Sequence, residues 1–90
     1  MTIDISKINI PSHPGIYLMK DDAGKIIYIG KAKNLKNRVK SYFLKNQNYK
    51  TQKLVENISD IEFVLTDNER EAFLLEANMI KRYRPIFNIE

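Results

Sequence analysis

Two short runs rich in Ile and Tyr, residues 15–20 and 25–30, flank the polar tetrad Asp21-Asp22-Ala23-Gly24. Runs of that kind bounded by turn residues predict a β-hairpin. With the whole tetrad in the loop, Lys20 faces Lys25, Ile16 pairs with Ile29, Tyr17 with Tyr28 and Leu18 with Ile27. The two tyrosines then share one face, and Ile16, Leu18, Ile27 and Ile29 share the other. Beyond the hairpin the apolar spacing becomes helical. Asn34 caps a helix to about residue 44 whose buried stripe is Leu35, Val39, Tyr42 and Phe43. Arg38 falls beside Tyr42 at the edge of that stripe, with Lys36 and Lys40 further round. A shorter helix over 50–58 carries Leu54, Val55 and Ile58, and alternation over 61–65 predicts a third strand.

The last helix starts near Asn68, with Glu71 placed for a capping box and Thr66 with Glu69 as the competing solution, and it stops before Pro85. Its inward stripe is Ala72, Phe73, Met79, Ile80 and Tyr83, and Glu76 falls in the middle of it. Residues 85–89 read as extended. Residues 1–14, with Pro11 and Pro14, form an irregular lead-in in which Asp4 caps one short turn. The expected architecture is therefore α+β: a small three-stranded antiparallel sheet, a hairpin plus one strand, flanked by about three helices, in a single domain over 15–90.

Composition narrows the class. Ninety residues with 43% apolar content give one small domain a real core and argue against a disordered tail. The absence of Cys removes disulfides and Cys-rich zinc sites. No apolar run approaches the roughly 20 residues of a membrane span, so no membrane role is expected and a cytoplasmic setting is. The net charge of +4 hides a pattern: between Asp22 and Glu56 there is no acidic residue, while nine Lys and Arg fall in that window. The remaining six basic residues face 11 acidic ones. Such asymmetry points to a polyanion such as nucleic acid, although a solvated helix face is the plainer reading.

Four features suggest chemistry: the tyrosines of the hairpin, the Gly30-Lys31 turn into a basic helix, Arg38, and the misplaced carboxylate of Glu76. A carboxylate on a packing face is costly unless it is paired, metal-bound or facing a cleft. One carboxylate plus waters suits Mg²⁺, and phosphodiester hydrolysis follows as a reaction class. Each item has a plainer counterpart. Tyrosines pack on small sheets, Glu76 ion-pairs with a Lys or Arg, Arg38 is a surface cation, and Gly30 ends a strand. His13 alone makes no metal constellation.

Gly15-Ile16-Tyr17 followed by Tyr28-Ile29-Gly30 resembles the paired signature of the GIY-YIG nuclease family. The series continues through Lys31-Ala32-Lys33-Asn34-Leu35, Asn37-Arg38-Val39, Ser41-Tyr42-Phe43, Leu75-Glu76-Ala77-Asn78, Tyr83-Arg84-Pro85 and Phe87-Asn88, and is similar to the UvrC-type amino-terminal domains within that family. The resemblance implies a DNA endonuclease domain, the amino-terminal part of a longer protein, that makes the 3′ incision of bacterial nucleotide excision repair. It implies one divalent metal, Mg²⁺ or Mn²⁺, on Glu76, with Tyr28 as a proposed general base, Tyr17 assisting and Arg38 on the scissile phosphate. Gly30, Lys31, Tyr42 and Asn88 match further active-site positions; Lys33, Lys36 and Lys40 are candidate phosphate contacts from the basic segment. The implied partners are damaged duplex DNA, held by its backbone without sequence readout, and UvrB, met through regions outside this chain, with the domain itself monomeric. A free-standing GIY-YIG nuclease, a non-catalytic DNA-binding module and an RNA-associated basic domain are the alternatives.

Overall fold

The computed structural model describes residues 3–89. Its sheet has the order β2-β1-β3 and is antiparallel throughout, with β1 Gly15–Lys20, β2 Ile26–Ala32 and β3 Asp60–Leu65. Around it lie α1 Leu35–Ser41, α2 Tyr49–Glu56, α3 Glu69–Tyr83 and the single turn α4 Ile86–Ile89. The expected α+β class, sheet and three main helices are all present. In the lead-in, Asp4 caps a 3₁₀ turn over Ile5–Lys7, its carboxylate accepting from the Ser6 N–H at 3.1 Å. Among the described residues no helix is long and apolar enough to cross a membrane.

The hairpin forms in a different register from the one the tetrad predicts. Tyr17 faces Gly30, and Tyr28 faces Met19. Two local events account for the shift. Asp21 is not in the loop: its N–H donates to the Lys25 carbonyl at 3.0 Å, and its carboxylate accepts from the N–H groups of Ala23 and Lys25. Three residues remain for the loop, closed by Gly24 at φ 80°. The ladder then shifts between Met19 and Lys20, leaving Ile27 as an extra residue in β2 between the Lys20–Ile26 and Met19–Tyr28 pairs. A two-residue total displacement preserves side-chain parity, so Tyr17 and Tyr28 still share a face. Ile27 does not follow the expectation: the bulge turns it to the tyrosine face, where it is buried with Tyr17 and Met19, and Ile26 packs on the other side.

The core lies in two layers on either side of the sheet. The larger joins Tyr17, Met19, Ile27 and Ile61 to Leu35, Val39 and Tyr42 of the α1 segment and to Leu54 and Ile58 of the α2 segment. The smaller joins Ile16, Leu18 and Ile29 to Ala72, with Leu75, Met79 and Ile80 packed against them. The inward stripe of α3 is therefore Ala72, Leu75, Met79 and Ile80 at i, i+3, i+7 and i+8. Phe73 and Tyr83, expected inside, are about half exposed: Phe73 stands just beyond the edge of the stripe, and Tyr83 is the last residue of the helix.

Three asparagines start the three main helices. The side-chain oxygens of Asn34, Asn48 and Asn68 accept from the N–H groups of Asn37, Thr51 and Glu71. Glu71 closes its box one residue upstream of the expected cap, accepting from the Asp67 N–H at 3.3 Å. α1 ends at Ser41, earlier than expected, because the Tyr42 and Phe43 N–H groups bond three residues back and Asn46 takes a positive φ. α3 closes on Arg84 in the left-handed region just ahead of Pro85. The stretch after it, expected to be extended, is helical: the Asn88 and Ile89 N–H groups both donate to the Pro85 carbonyl.

Candidate active site

Tyr17 stands on the central strand with its ring over the place a Gly30 side chain would occupy. A Cβ built on Gly30 would lie 2.2 Å from both Cζ and Oη of Tyr17. Only glycine fits, so the second glycine of the signature makes room for the first tyrosine. Tyr17 is 1% exposed, and its hydroxyl is paired with the Tyr42 hydroxyl at 2.6 Å. Tyr28, diagonal to Tyr17 across the hairpin, completes a cluster of three rings with centroids 5.7–6.2 Å apart. Two of the three contacts are edge-on, a favoured aromatic geometry.

One turn before Tyr42 on α1, Arg38 lays its guanidinium 4.9 Å from the centre of the Tyr42 ring and donates from Nη2 to the Tyr42 hydroxyl at 3.3 Å. Tyr28, Arg38 and Tyr42 line a cleft of about 220 Å³ together with Lys50, Thr51, Leu54 and Phe87. Tyr17 does not reach it. Sequence reasoning placed Lys50 only within the acid-free window and gave no signal for Thr51 or Phe87 in this wall, because α2 and α4 come to the cleft from distant parts of the chain.

Asn88 has a structural task. Its amide oxygen accepts from the Ile29 N–H at 2.8 Å, and its amide nitrogen donates to the Ile29 carbonyl at 2.9 Å. The side chain thus pairs with the open edge of β2 as a neighbouring strand would, holding the backbone between Tyr28 and Gly30. Both of its hydrogen-bonding ends are occupied.

Burial pushes all three phenols above their ordinary pKa. For Tyr17 the hydrogen bond to Tyr42 offsets part of the effect. For Tyr28 and Tyr42 desolvation dominates, and the Arg38 charge pulls back more weakly. Glu76, half-buried on α3, also has a raised pKa: desolvation leads, opposed by the Lys31 charge and main chain. Its charge adds weakly to the upward shift of Tyr28, behind burial and Tyr42.

Among the described residues no three His, Cys, Asp or Glu side chains converge, and no ion pair within 4.0 Å involves Glu76. A lone half-buried carboxylate without an ion pair is the donor that could hold a divalent cation whose other ligands are water. Lys31 lies near it, with its ammonium 5.9 Å from the Phe73 ring centre. Lys31, Lys33 and Arg38 line a second, more open groove with Asn34, Asn37 and Ser41, and the Glu69 carboxylate stands among them. Lys36 and Lys40 are exposed on α1 and line neither groove that contains Arg38. His13 donates from Nε2 to the Thr66 carbonyl at 2.9 Å and lines neither groove that contains Arg38.

A tyrosine on each strand of the first hairpin, an arginine on the following helix and a carboxylate on the long helix across the sheet define the GIY-YIG class of domains. Within that class the model of the UvrC-like GIY-YIG domain matches residues 13–89, and the chain belongs to this family. It is 64% identical over 80 residues to UvrABC system protein C of Oenococcus oeni, and 54% identical over 83 residues to that of Clostridium botulinum. These matches cover 89% and 90% of the chain, which spans 13% of the length of either relative. Among solved structures it is similar to the GIY-YIG N-terminal endonuclease domain of UvrC from Thermotoga maritima bound to its catalytic divalent cation, magnesium, with a TM-score of 0.85, 45% identity and 97% and 98% of the two chains covered. A point mutant of that domain, also described with the catalytic divalent cation, gives a TM-score of 0.87 at 43% identity over the full length of both chains.

Proposed function

We propose that the chain is a metal-dependent DNA endonuclease domain that, as part of a UvrC-type protein, makes the 3′ incision in nucleotide excision repair, with UvrB met through regions beyond these 90 residues. The observation that supports it best is the convergence of Tyr28, Tyr42 and Arg38 in one cleft, with the half-buried Glu76 carboxylate in no ion pair among the described residues. The magnesium of the similar Thermotoga maritima domain supports a metal-dependent reaction.

Glu76 is the residue that would hold the cation, because oxygen donors suit Mg²⁺ or Mn²⁺ and a single carboxylate leaves most of its hydration intact. When bound, such an ion supplies Lewis-acid stabilisation of phosphate charge and raises the acidity of nearby water. The other roles belong to side chains. Arg38 faces the cleft and neutralises the charge that grows on the phosphoryl oxygens as a water oxygen bonds to phosphorus and the ester oxygen departs. The Tyr28 hydroxyl, the exposed end of the cluster, accepts a hydrogen bond from that water and orients it. At neutral pH burial keeps this phenol protonated, so removing the water's proton requires the nearby cationic groups to lower its pKa. Tyr17 and Tyr42 hold each other and Arg38 in place, and Lys31 and Lys33 lie where a phosphate backbone would run.

The test is a nicking assay on supercoiled DNA with Mg²⁺ or Mn²⁺. Glu76→Ala should abolish nicking while leaving DNA affinity about unchanged. Metal-independent nicking, or undiminished nicking by the variant, overturns the reading. A chain that binds DNA and never nicks it is a binding module.

A further inference from the structure

Of the grooves that share walls with the cleft, the two that carry its cations, Arg38 and Lys50, differ in chemistry. Arg38 belongs both to the cleft and to the polar groove of Lys31, Lys33, Asn34, Asn37 and Ser41. Lys50 and Phe87 belong both to the cleft and to a groove of about 400 Å³ between α2 and α4, whose remaining walls are Tyr49, Lys53 and Ile86. That second groove is aromatic and aliphatic with lysines at its border. Tyr49 is 75% exposed and Ile86 52% exposed, although each carries a large apolar surface. Lys53 is exposed and reaches Glu56 only at 4.0 Å, a distance at which a surface pair contributes little.

We infer that the Tyr49–Ile86–Phe87 groove receives an unstacked base of the strand whose phosphate lies at Arg38. The inference rests on the nuclease reading and deepens it. A strand running from the polar groove through the cleft meets amides and cations first, with Glu69 the one carboxylate among them, and an aromatic surface next, where a base can stack. Charge complementarity selects the occupant: the α2 wall of the groove belongs to the acid-free segment, no carboxylate lines the groove, and Lys50 and Lys53 border an apolar wall of Tyr49, Ile86 and Phe87 in the manner of single-strand stacking platforms. A fully stacked duplex cannot offer a base to such a wall, so the favoured substrate is DNA already unpaired or distorted beside the cut bond. The same groove gives sequence tolerance, because every base has a stacking face.

The experiment measures binding of a short oligothymidylate and of an abasic strand of equal length and charge, in EDTA so that cleavage plays no part. The wild-type chain should prefer the strand with bases by about tenfold, the scale of a single base–aromatic stack. Tyr49→Ala should abolish that preference by weakening binding to oligothymidylate alone, and Tyr49→Trp should retain it. A thermal melt checks that these exposed substitutions leave the fold intact. A preference that persists in Tyr49→Ala, or is absent from the wild type, overturns the inference. So does sedimentation as a dimer that Tyr49→Ala dissolves, which would assign the groove to a second copy. The nuclease reading is judged separately by Mg²⁺-dependent nicking and its loss in Glu76→Ala, so either can fail while the other stands.

Discussion

The two tyrosines of the signature and Tyr42 occupy three different environments. Tyr17 is sealed beneath the sheet's helical cover, Tyr42 links it to Arg38, and Tyr28 alone combines partial burial with a place in the cleft wall. Since burial raises the Tyr28 pKa, the rate with Mg²⁺ should climb as pH rises from 7 to 9 without levelling off. Tyr28→Phe should flatten that rise and cost about a hundredfold or more in kcat, the lower range of general-base effects. Tyr17→Phe should keep the pH dependence and act through stability. A pH–rate series on the three proteins checks both. Glu76 gives a complementary expectation. Its folded pKa lies above the unfolded value, so the folded state binds more protons in the window between them and stability falls as pH rises through it. Without metal, Glu76→Gln should melt roughly 1–3 °C higher at pH 7, a modest gain because the site is only half-buried, and the difference should vanish below the carboxylate range. Adding Mg²⁺ should raise the wild-type midpoint and leave the variant's unchanged. Melting curves with EDTA and with Mg²⁺ read all of this.

At the level of elements, the site depends on the exact path of β2. Gly30 admits the Tyr17 ring, and Asn88 of α4 holds the strand's open edge through two hydrogen bonds to Ile29. Gly30→Ala should destabilise the fold by about 1–3 kcal/mol, since an extra methyl in a packed site forces the ring and strand apart. Asn88→Ala should cost about 1–2 kcal/mol, the net worth of two such bonds, and lower nicking in parallel because β2 carries Tyr28. Urea denaturation and nicking measured on the same preparations test the pair. A variant that loses activity without losing stability would mean that Asn88 meets the substrate directly. The bulge at Ile27 belongs to the same account, because its one-residue shift adds to the one made by the three-residue loop and so returns Tyr28 to the Tyr17 face. Local turn chemistry at Asp21 and Gly24 and the bulge together fixed the register, and the tetrad's composition did not distinguish a three-residue loop from a four-residue one.

Across the whole molecule, the acid-free segment becomes one side of the site and the acidic part of the chain supplies Glu76 from α3. Lys31, Lys33 and Arg38 gather in the polar groove, whereas Lys36 and Lys40 stay on the exposed side of α1. Binding to duplex DNA should therefore weaken steeply with salt, with a log–log slope of about −3 if these three cations each displace a counterion. Lys33→Ala should make that slope about 0.9 shallower. Affinity titrations at several salt concentrations measure it, and an unchanged slope would place the backbone elsewhere.

The helix starts at Asn34 and Asn68, the halt before Pro85, the α+β class and the candidate tyrosines, arginine and glutamate were all legible along the chain, because capping, periodicity and signature spacing are local properties. The stripe of α3 was only partly legible. Ala72, Met79 and Ile80 face the sheet as expected, but the exposure of Phe73 depends on how far the helix is rotated on the sheet and that of Tyr83 on how far along the helix the packing reaches, neither of which spacing encodes. Nor does spacing encode that Gly30 makes room for Tyr17, that Asn88 closes the edge of β2, or that Tyr49 and Phe87 extend the cleft, since each joins residues brought together only by folding. Sequence by itself determined which groups are available and which elements carry them. Tertiary structure decided which of those groups touch, because contacts between distant segments depend on register and helix rotation, and a shift of one residue or part of a helical turn redirects every side chain involved.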